Sequence, residues 1–104
     1  MQVVSIDLFI VPKESAEEFL EQSRVVQGLI KTIPGFVEGF SYEKINGESE
    51  FNFMTTAVWE SEAAFQNAGR AIGAEFQRRG YNPQPPFERL RVKRLRSEYN
   101  RTPY

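Results

Sequence analysis

Apolar and polar residues alternate along this chain with two different periods, and the points where the period changes mark out the elements. From Val3 to Val11 nearly every residue is apolar or β-branched, with Ser5 and Asp7 the only polar positions. Val4, Ile6, Leu8 and Ile10 share one face and Val3, Ser5, Asp7 and Phe9 the other, so the run predicts a strand covered on both sides. Pro12 stops it. Ser15, with Glu18 three residues later, reads as a capping box at a helix start. Ala16, Phe19, Leu20, Ser23, Val26 and Ile30 then recur at helical spacing and predict an amphipathic helix over about 15–31. Ile33-Pro34-Gly35-Phe36 ends it, because proline cannot continue a helix and glycine accepts the turn.

The period falls to two from Phe36 to Ile45 and again from Glu50 to Trp59, with Asn46-Gly47 between them as a hairpin signal. In the second of these strands Phe51, Phe53, Thr55, Ala57 and Trp59 line one face, and Asn52, Met54, Thr56 and Val58 the other. Ser61 is a good N-cap for a second helix whose apolar positions are Phe65, Ala68, Ile72 and Phe76. Gly69 and Gly73 thin that face and read as close packing or a break. Gly80, Pro83, Pro85 and Pro86 read as a loop, Phe87 to Leu95 as a last strand, and 96–104 as a C-terminal tail without pattern.

The predicted order is β-α-β-β-α-β in a single domain over 1–104: an α+β, ferredoxin-like subunit with an antiparallel sheet and both helices on one face. Two helices explain one buried face of each strand and leave the other. Val4, Ile6, Leu8 and Ile10 beside Met54 and Val58 call for a second sheet, and a homodimer packed sheet on sheet is the simplest source.

Composition narrows the chemistry. The 104 residues are 40% hydrophobic and 13% aromatic, which excludes disorder and allows one core. No apolar run approaches the roughly 18–20 residues of a membrane helix, and the N-terminus lacks the features of a signal peptide, so a cytoplasmic protein without membrane contact is expected. Cysteine and histidine are both absent. That removes thiol nucleophiles, Ser-His-Asp triads, zinc-thiolate sites and imidazole-held heme, and no metal site or cofactor is expected. Charge is uneven: residues 1–77 carry five basic against twelve acidic side chains, and residues 78–104 eight against two. A basic strand lying against acidic helices explains this more simply than nucleic-acid binding, since no glycine-flanked aromatic RNA-binding signature accompanies it.

Several stretches resemble the antibiotic biosynthesis monooxygenase family: Phe9-Ile-Val-Pro12 leading into Glu17-Glu-Phe19, Ile33-Pro-Gly-Phe36-Val37-x-Gly39, and Val58-Trp-Glu-Ser61-x-x-Ala64. The resemblance covers about residues 2–76. It implies a dimeric α/β barrel of ferredoxin-like subunits, each with a pocket between sheet and helices, in a family that mixes cofactor-free oxygenases, heme-degrading oxygenases and signal-molecule isomerases. Trp59 matches the tryptophan that commonly lines the family pocket. Heme-degrading members pair it with a first-strand Asn and a second-helix His, where this chain has Asp7 and approximately Gly69. Isomerase members rely on histidine. Polyketide oxygenases place Asn four residues before the Trp, then Tyr and Arg, where this chain has Thr55, Phe65 and Arg79.

The candidate catalytic residues are therefore Asp7, Trp59 and Thr55, and the candidate substrate-binding residues Phe9, Phe40, Phe65, Arg79 and Tyr81. Asp7 stands in an apolar strand, where a carboxylate is costly unless paired or protonated. It is either a general base with a raised pKa or the partner of an arginine such as Arg70, Arg79 or Arg91. Trp59 either lines a pocket or fills a core. The aromatic side chains either wall a planar ligand or pack the interior, and Tyr81 either covers a pocket mouth or faces solvent. Residues 82–86 form a lid or a stiff connector. The functional expectation is a cofactor-independent monooxygenase for a small aromatic or quinol-like substrate; the alternative is a non-catalytic metabolite-binding relative.

Overall fold

The computed structural model describes residues 1–82 and 84–104. Four strands, β1 (Val3–Ile10), β2 (Phe36–Glu43), β3 (Phe53–Trp59) and β4 (Lys93–Asn100), form one antiparallel sheet in the order β2-β3-β1-β4. Helices α1 (Ala16–Ile30) and α2 (Glu62–Arg79) connect them, with a short helix α3 (Gln84–Arg89) before β4. This is the expected α+β ferredoxin-like arrangement. Among the described residues no helix is long and apolar enough to cross a membrane.

Val3, Ser5, Asp7 and Phe9 face the helices, as do Phe53, Thr55, Ala57 and Trp59 opposite them in register. The helix-facing side of the sheet carries two separate apolar clusters. Phe9, Val11, Phe19, Phe53 and Leu90 form one, with the Phe19 ring centre 4.9 Å from that of Phe9, edge to face, and 5.2 Å from that of Phe53. Ala57, Trp59 and Ala68 form the other, joined by Ile30, Phe36, Phe65 and Ile72. Between them the strands present Ser5, Asp7 and Thr55, which are too small or too polar to meet the helices.

Several helix and turn boundaries differ from the alternation, each for a local reason. Ser15 precedes α1 but does not cap it: a single 3₁₀ turn, Lys13–Ser15, leads in, and the Ser15 hydroxyl donates to the Leu90 carbonyl at 2.9 Å. Glu18 bonds Arg89 instead of closing a capping box. Leu20 points outward. Ser61 does cap α2, accepting from the Ala64 amide at 3.0 Å. Asn46-Gly47 does join two antiparallel strands, but within a longer loop from 44 to 52. Gly69 and Gly73 make no close packing, since a Cβ on either would meet nothing within 4 Å. Gly35 is required twice over: φ is +90°, and a Cβ would lie 2.6 Å from that of Ala64 on α2.

The largest difference lies after α2. Residues 84–89 are helical, not loop and strand, because prolines in a first turn lack only amide hydrogens that a helix start leaves unbonded. Two successive helix ends close in the same way. Gly80 turns left-handed at φ +67°, with Tyr81 N–H donating to Phe76 O at 2.8 Å. Arg91 does so at φ +60°, with Val92 N–H donating to Phe87 O at 3.0 Å. The second closure drops Leu90 into the core and delays the last strand, which begins at Lys93 and takes in residues 96–100 of the expected tail. Pro83, within the expected lid or connector, lies outside the described residues.

Asn52 fastens the ends of the two central strands. Its side chain accepts from Val11 N–H at 2.9 Å and donates to Val11 O at 2.8 Å, while its own amide donates to Phe9 O at 2.9 Å. Asn52→Ala therefore removes two part-buried bonds and should lower stability by about 2 kcal/mol in urea unfolding. A loss under about 0.5 kcal/mol would mean that water replaces both bonds.

Candidate functional site

The gap between the two apolar clusters is a cavity of about 240 Å³. Its floor is the helix-facing side of the sheet: Ser5, Asp7 and Phe9 from β1, Thr55 and Ala57 from β3, Arg94 and Arg96 from β4. Its roof is Ser23, Val26, Gln27 and Ile30 from α1, Gly69, Ile72 and Phe76 from α2, and Phe87 from α3. One wall is thus mainly polar and the other mainly apolar.

Asp7 is paired, and its partner is Arg96. The guanidinium donates through Nε to Oδ1 at 2.7 Å and through its terminal nitrogen to Oδ2 at 2.9 Å, a planar two-point match. The pair is set by strand register, since Asp7 lies directly opposite Arg96. Asp7 is 13% exposed and Arg96 47%, so the carboxylate is held inside while the arginine reaches it from the rim. The hydrogen-bonded carboxylate raises the Arg96 pKa further above the usual arginine range. The partner is therefore none of Arg70, Arg79 and Arg91, and the carboxylate that an apolar strand leaves in need of a cation takes Arg96.

Thr55, opposite Asp7 on β3, is buried and lines the cavity. Phe9 contributes to the cavity and to the neighbouring core alike. Trp59 does not line it. It is 2% exposed and packs edge-on against Phe36, ring centres 5.6 Å apart, four residues along β3 from Thr55. Phe65 packs against the same cluster.

Like Phe65, three more of the expected substrate contacts lie outside the cavity. Phe40 is on the opposite side of the sheet and 54% exposed, because alternation on β2 sends it to the face shared by Thr56. Arg79 bonds Glu75 at 2.9 Å near the end of α2. Hydrogen bonds from Arg78 and Arg79 hold the Glu75 carboxyl down at about 2. Tyr81 donates its hydroxyl to Gln22 and packs on Phe76 beside a separate groove lined by Val25, Leu29 and Arg79. Burial pushes its phenol above the usual range. The left-handed turn at Gly80 aims Tyr81 at the outer side of α1, away from the cavity.

Alternation alone could have found Arg96: Leu95 and Tyr99 against Arg94, Arg96 and Glu98 is a strand pattern. Gln27 is a second residue the apolar stripe of α1 does not single out. Its Oε1 is buried at the cavity without a hydrogen-bond partner, a rare state for a polar atom. Among the described residues no three acidic side chains converge in the manner of a metal site.

The sequence profile of the antibiotic biosynthesis monooxygenases matches residues 1–71, from β1 into α2. The chain belongs to that family. No curated protein matches it significantly. Solved structures show how widely this family's fold is shared. A proposed monooxygenase from Shewanella loihica PV-4 superposes with a TM-score of 0.74 at 19% identity, over 99% of this chain and 96% of that one. SnoaB, a cofactor-independent oxygenase from Streptomyces nogalater, gives 0.68 at 18% identity over 99% and 95%. A heme-degrading protein from Mycobacterium tuberculosis gives 0.60 at 26% identity over 66% and 78%. Solved structures with this fold thus include both a cofactor-independent oxygenase and a heme-degrading protein, so the fold by itself does not fix a chemistry.

The Asp7–Arg96 pair lies between the exposed and the fully buried extremes. A double-mutant cycle with Asp7→Asn and Arg96→Gln should give a coupling of about 1–2 kcal/mol by thermal or urea unfolding. A coupling near zero would show that solvent at the Arg96 end screens the pair.

Proposed function

We propose that this member of the family is a cofactor-independent monooxygenase that oxidises a small phenolic or quinol-like aromatic held between sheet and helices. The observation that carries the reading is the cavity, with an apolar roof for a ring and an ordered polar floor of Asp7, Arg96 and Thr55. Heme does not fit this chain. The chain has neither imidazole nor thiolate, and the lining of the cavity offers no phenol or thioether to take their place at the iron.

In this mechanism the substrate supplies the electrons. An ionised hydroquinone reduces dioxygen, the oxygen adds to the ring, and loss of water leaves the quinone carbonyl. One oxygen atom stays on the product and one leaves as water. The protein has to orient the ring, remove one proton and exclude bulk water. Arg96 occupies one side of the Asp7 carboxylate and fixes its plane, which leaves the remaining lone pairs to accept a substrate hydroxyl. Thr55 donates to the resulting oxyanion, and Val26, Ile30, Ile72 and Phe76 cover the ring. Trp59 backs this site from the neighbouring core and does not stack on the substrate.

Oxygen uptake with a panel of one- and two-ring hydroquinones tests this. The parent should consume oxygen stoichiometrically with substrate, and Asp7→Asn and Thr55→Val should each lower kcat about tenfold or more. Parent-like rates in both variants would sink the assignment. One observation favours the second reading, a metabolite-binding protein without turnover: Asp7 is already occupied by Arg96. Tight binding of the same compounds without oxygen uptake would establish it.

We also propose that the subunit works as a homodimer through its open sheet face. Phe40 and Leu95 are 54% and 57% exposed there. Tyr42 and Tyr99 join them, with Val4, Ile6 and Leu8 half-buried on β1 between the outer strands, an apolar surface unusual for a monomer. Sedimentation should give twice the 12.0 kDa chain mass at micromolar concentration. Phe40→Glu combined with Leu95→Glu should yield a folded monomer. A monomeric parent would overturn this.

A further inference from the structure

The charges around the cavity do not balance. Among the described residues its charged side chains are Asp7, Arg94 and Arg96. Asp7 and Arg96 satisfy one another through two bonds. Arg94 remains, for every ion pair among the described residues uses a different arginine. Strand register puts Arg94 opposite Phe9 and two residues before Arg96, on the side of β4 that faces the helices. An unneutralised guanidinium at the rim of an apolar cavity is a standing attraction for an anion, above all a planar one.

Two further properties restrict what the anion is attached to. A cavity of about 150 Å³ accepts a benzene ring, so about 240 Å³ suits one ring or two fused rings. It falls below the roughly 300–1,000 Å³ usual for larger ligands. The orphaned Oε1 of Gln27 on the roof calls for a donor, which a hydroxyl on such a ring supplies. Ring, hydroxyl donor and anionic group each have a counterpart in the cavity.

We propose that the cavity selects a one- or two-ring hydroxyaromatic carboxylic acid, and that Arg94 is the residue that reads the carboxylate. This rests on the cavity being the ligand site and adds the class of ligand that enters it. The ring lies between the helices and the sheet, its hydroxyl meets the Asp7 and Gln27 side, and its carboxylate docks on Arg94. Arg96 keeps its bonds to Asp7, so the carboxylate does not compete for the catalytic pair.

Calorimetric titration of the full chain with 1-hydroxy-2-naphthoate and with neutral 1-naphthol separates the parts of this proposal. The acid should bind the parent at least about tenfold more tightly, the strength of one charge-assisted contact. Arg94→Gln should abolish that preference and leave 1-naphthol affinity unchanged, while Arg94→Lys should retain part of it. Arg94 is exposed at the rim, and unchanged melting of the variants shows that the fold is intact. Equal affinity of the parent for both probes would overturn the proposal and leave the cavity as a site for neutral rings. An acid preference that survives Arg94→Gln would overturn the role of Arg94. If neither probe binds the parent, the cavity reading falls and this inference with it.

Discussion

A carboxylate on the covered side of a central strand has to find a cation, and this requirement organises the molecule. Asp7 is on β1, between β3 and β4, and faces the helices. Its demand is met by Arg96, so the last strand has to pair in the one register that sets the two opposite each other. A slip of one residue would send Arg96 to the open face and leave Asp7 buried alone, at a cost of several kcal/mol. The Schellman-type turn that ends α3 is what brings the strand in at that register. Its left-handed residue is Arg91, where glycine would be easier, and the Leu90 side chain and carbonyl anchor it to the core and to Ser15.

The same carboxylate divides the core. A polar pair, Asp7 opposite Thr55, cannot continue the apolar packing that Phe9 and Phe53 begin on one side and Ala57 and Trp59 resume on the other. The helices bridge the two clusters and remain lifted between them. The cavity is the consequence of this interruption, lined below by the groups that caused it and above by the helices' apolar stripes. Site and stability are not independent here. The ion pair that makes a mid-sheet carboxylate tolerable also fixes the polar floor of the candidate site.

The family's fold admits several chemistries because the sheet and helices supply a covered space and leave its lining open to change. In this chain the lining lacks imidazole and thiolate and carries instead one satisfied ion pair, one surplus arginine, the strand hydroxyls of Ser5 and Thr55 and an orphaned amide oxygen. Those groups can move a proton, hold an oxyanion and orient a ring.

Much of this could be read in the sequence. The two faces of β1, the helix stripes through Phe19 and Ala68, the Ser61 cap and the Gly35 turn all follow from local periods and backbone preferences. So does the suspicion attached to Asp7. The first three-quarters of the chain was legible because alternation, capping and turn chemistry act between near neighbours. The last quarter was not. Consecutive prolines look like a loop, yet they begin a helix, and a left-handed arginine then resets the strand by several residues. Which cation meets Asp7 was decided across 89 positions of sequence, and whether Trp59, Arg79 and Tyr81 reach the cavity by the angles at which whole elements leave their turns. Alternation states that two side chains share a face. Only the packed sheet determines how far apart along that face they stand, and there a few ångströms separate a cavity wall from a core.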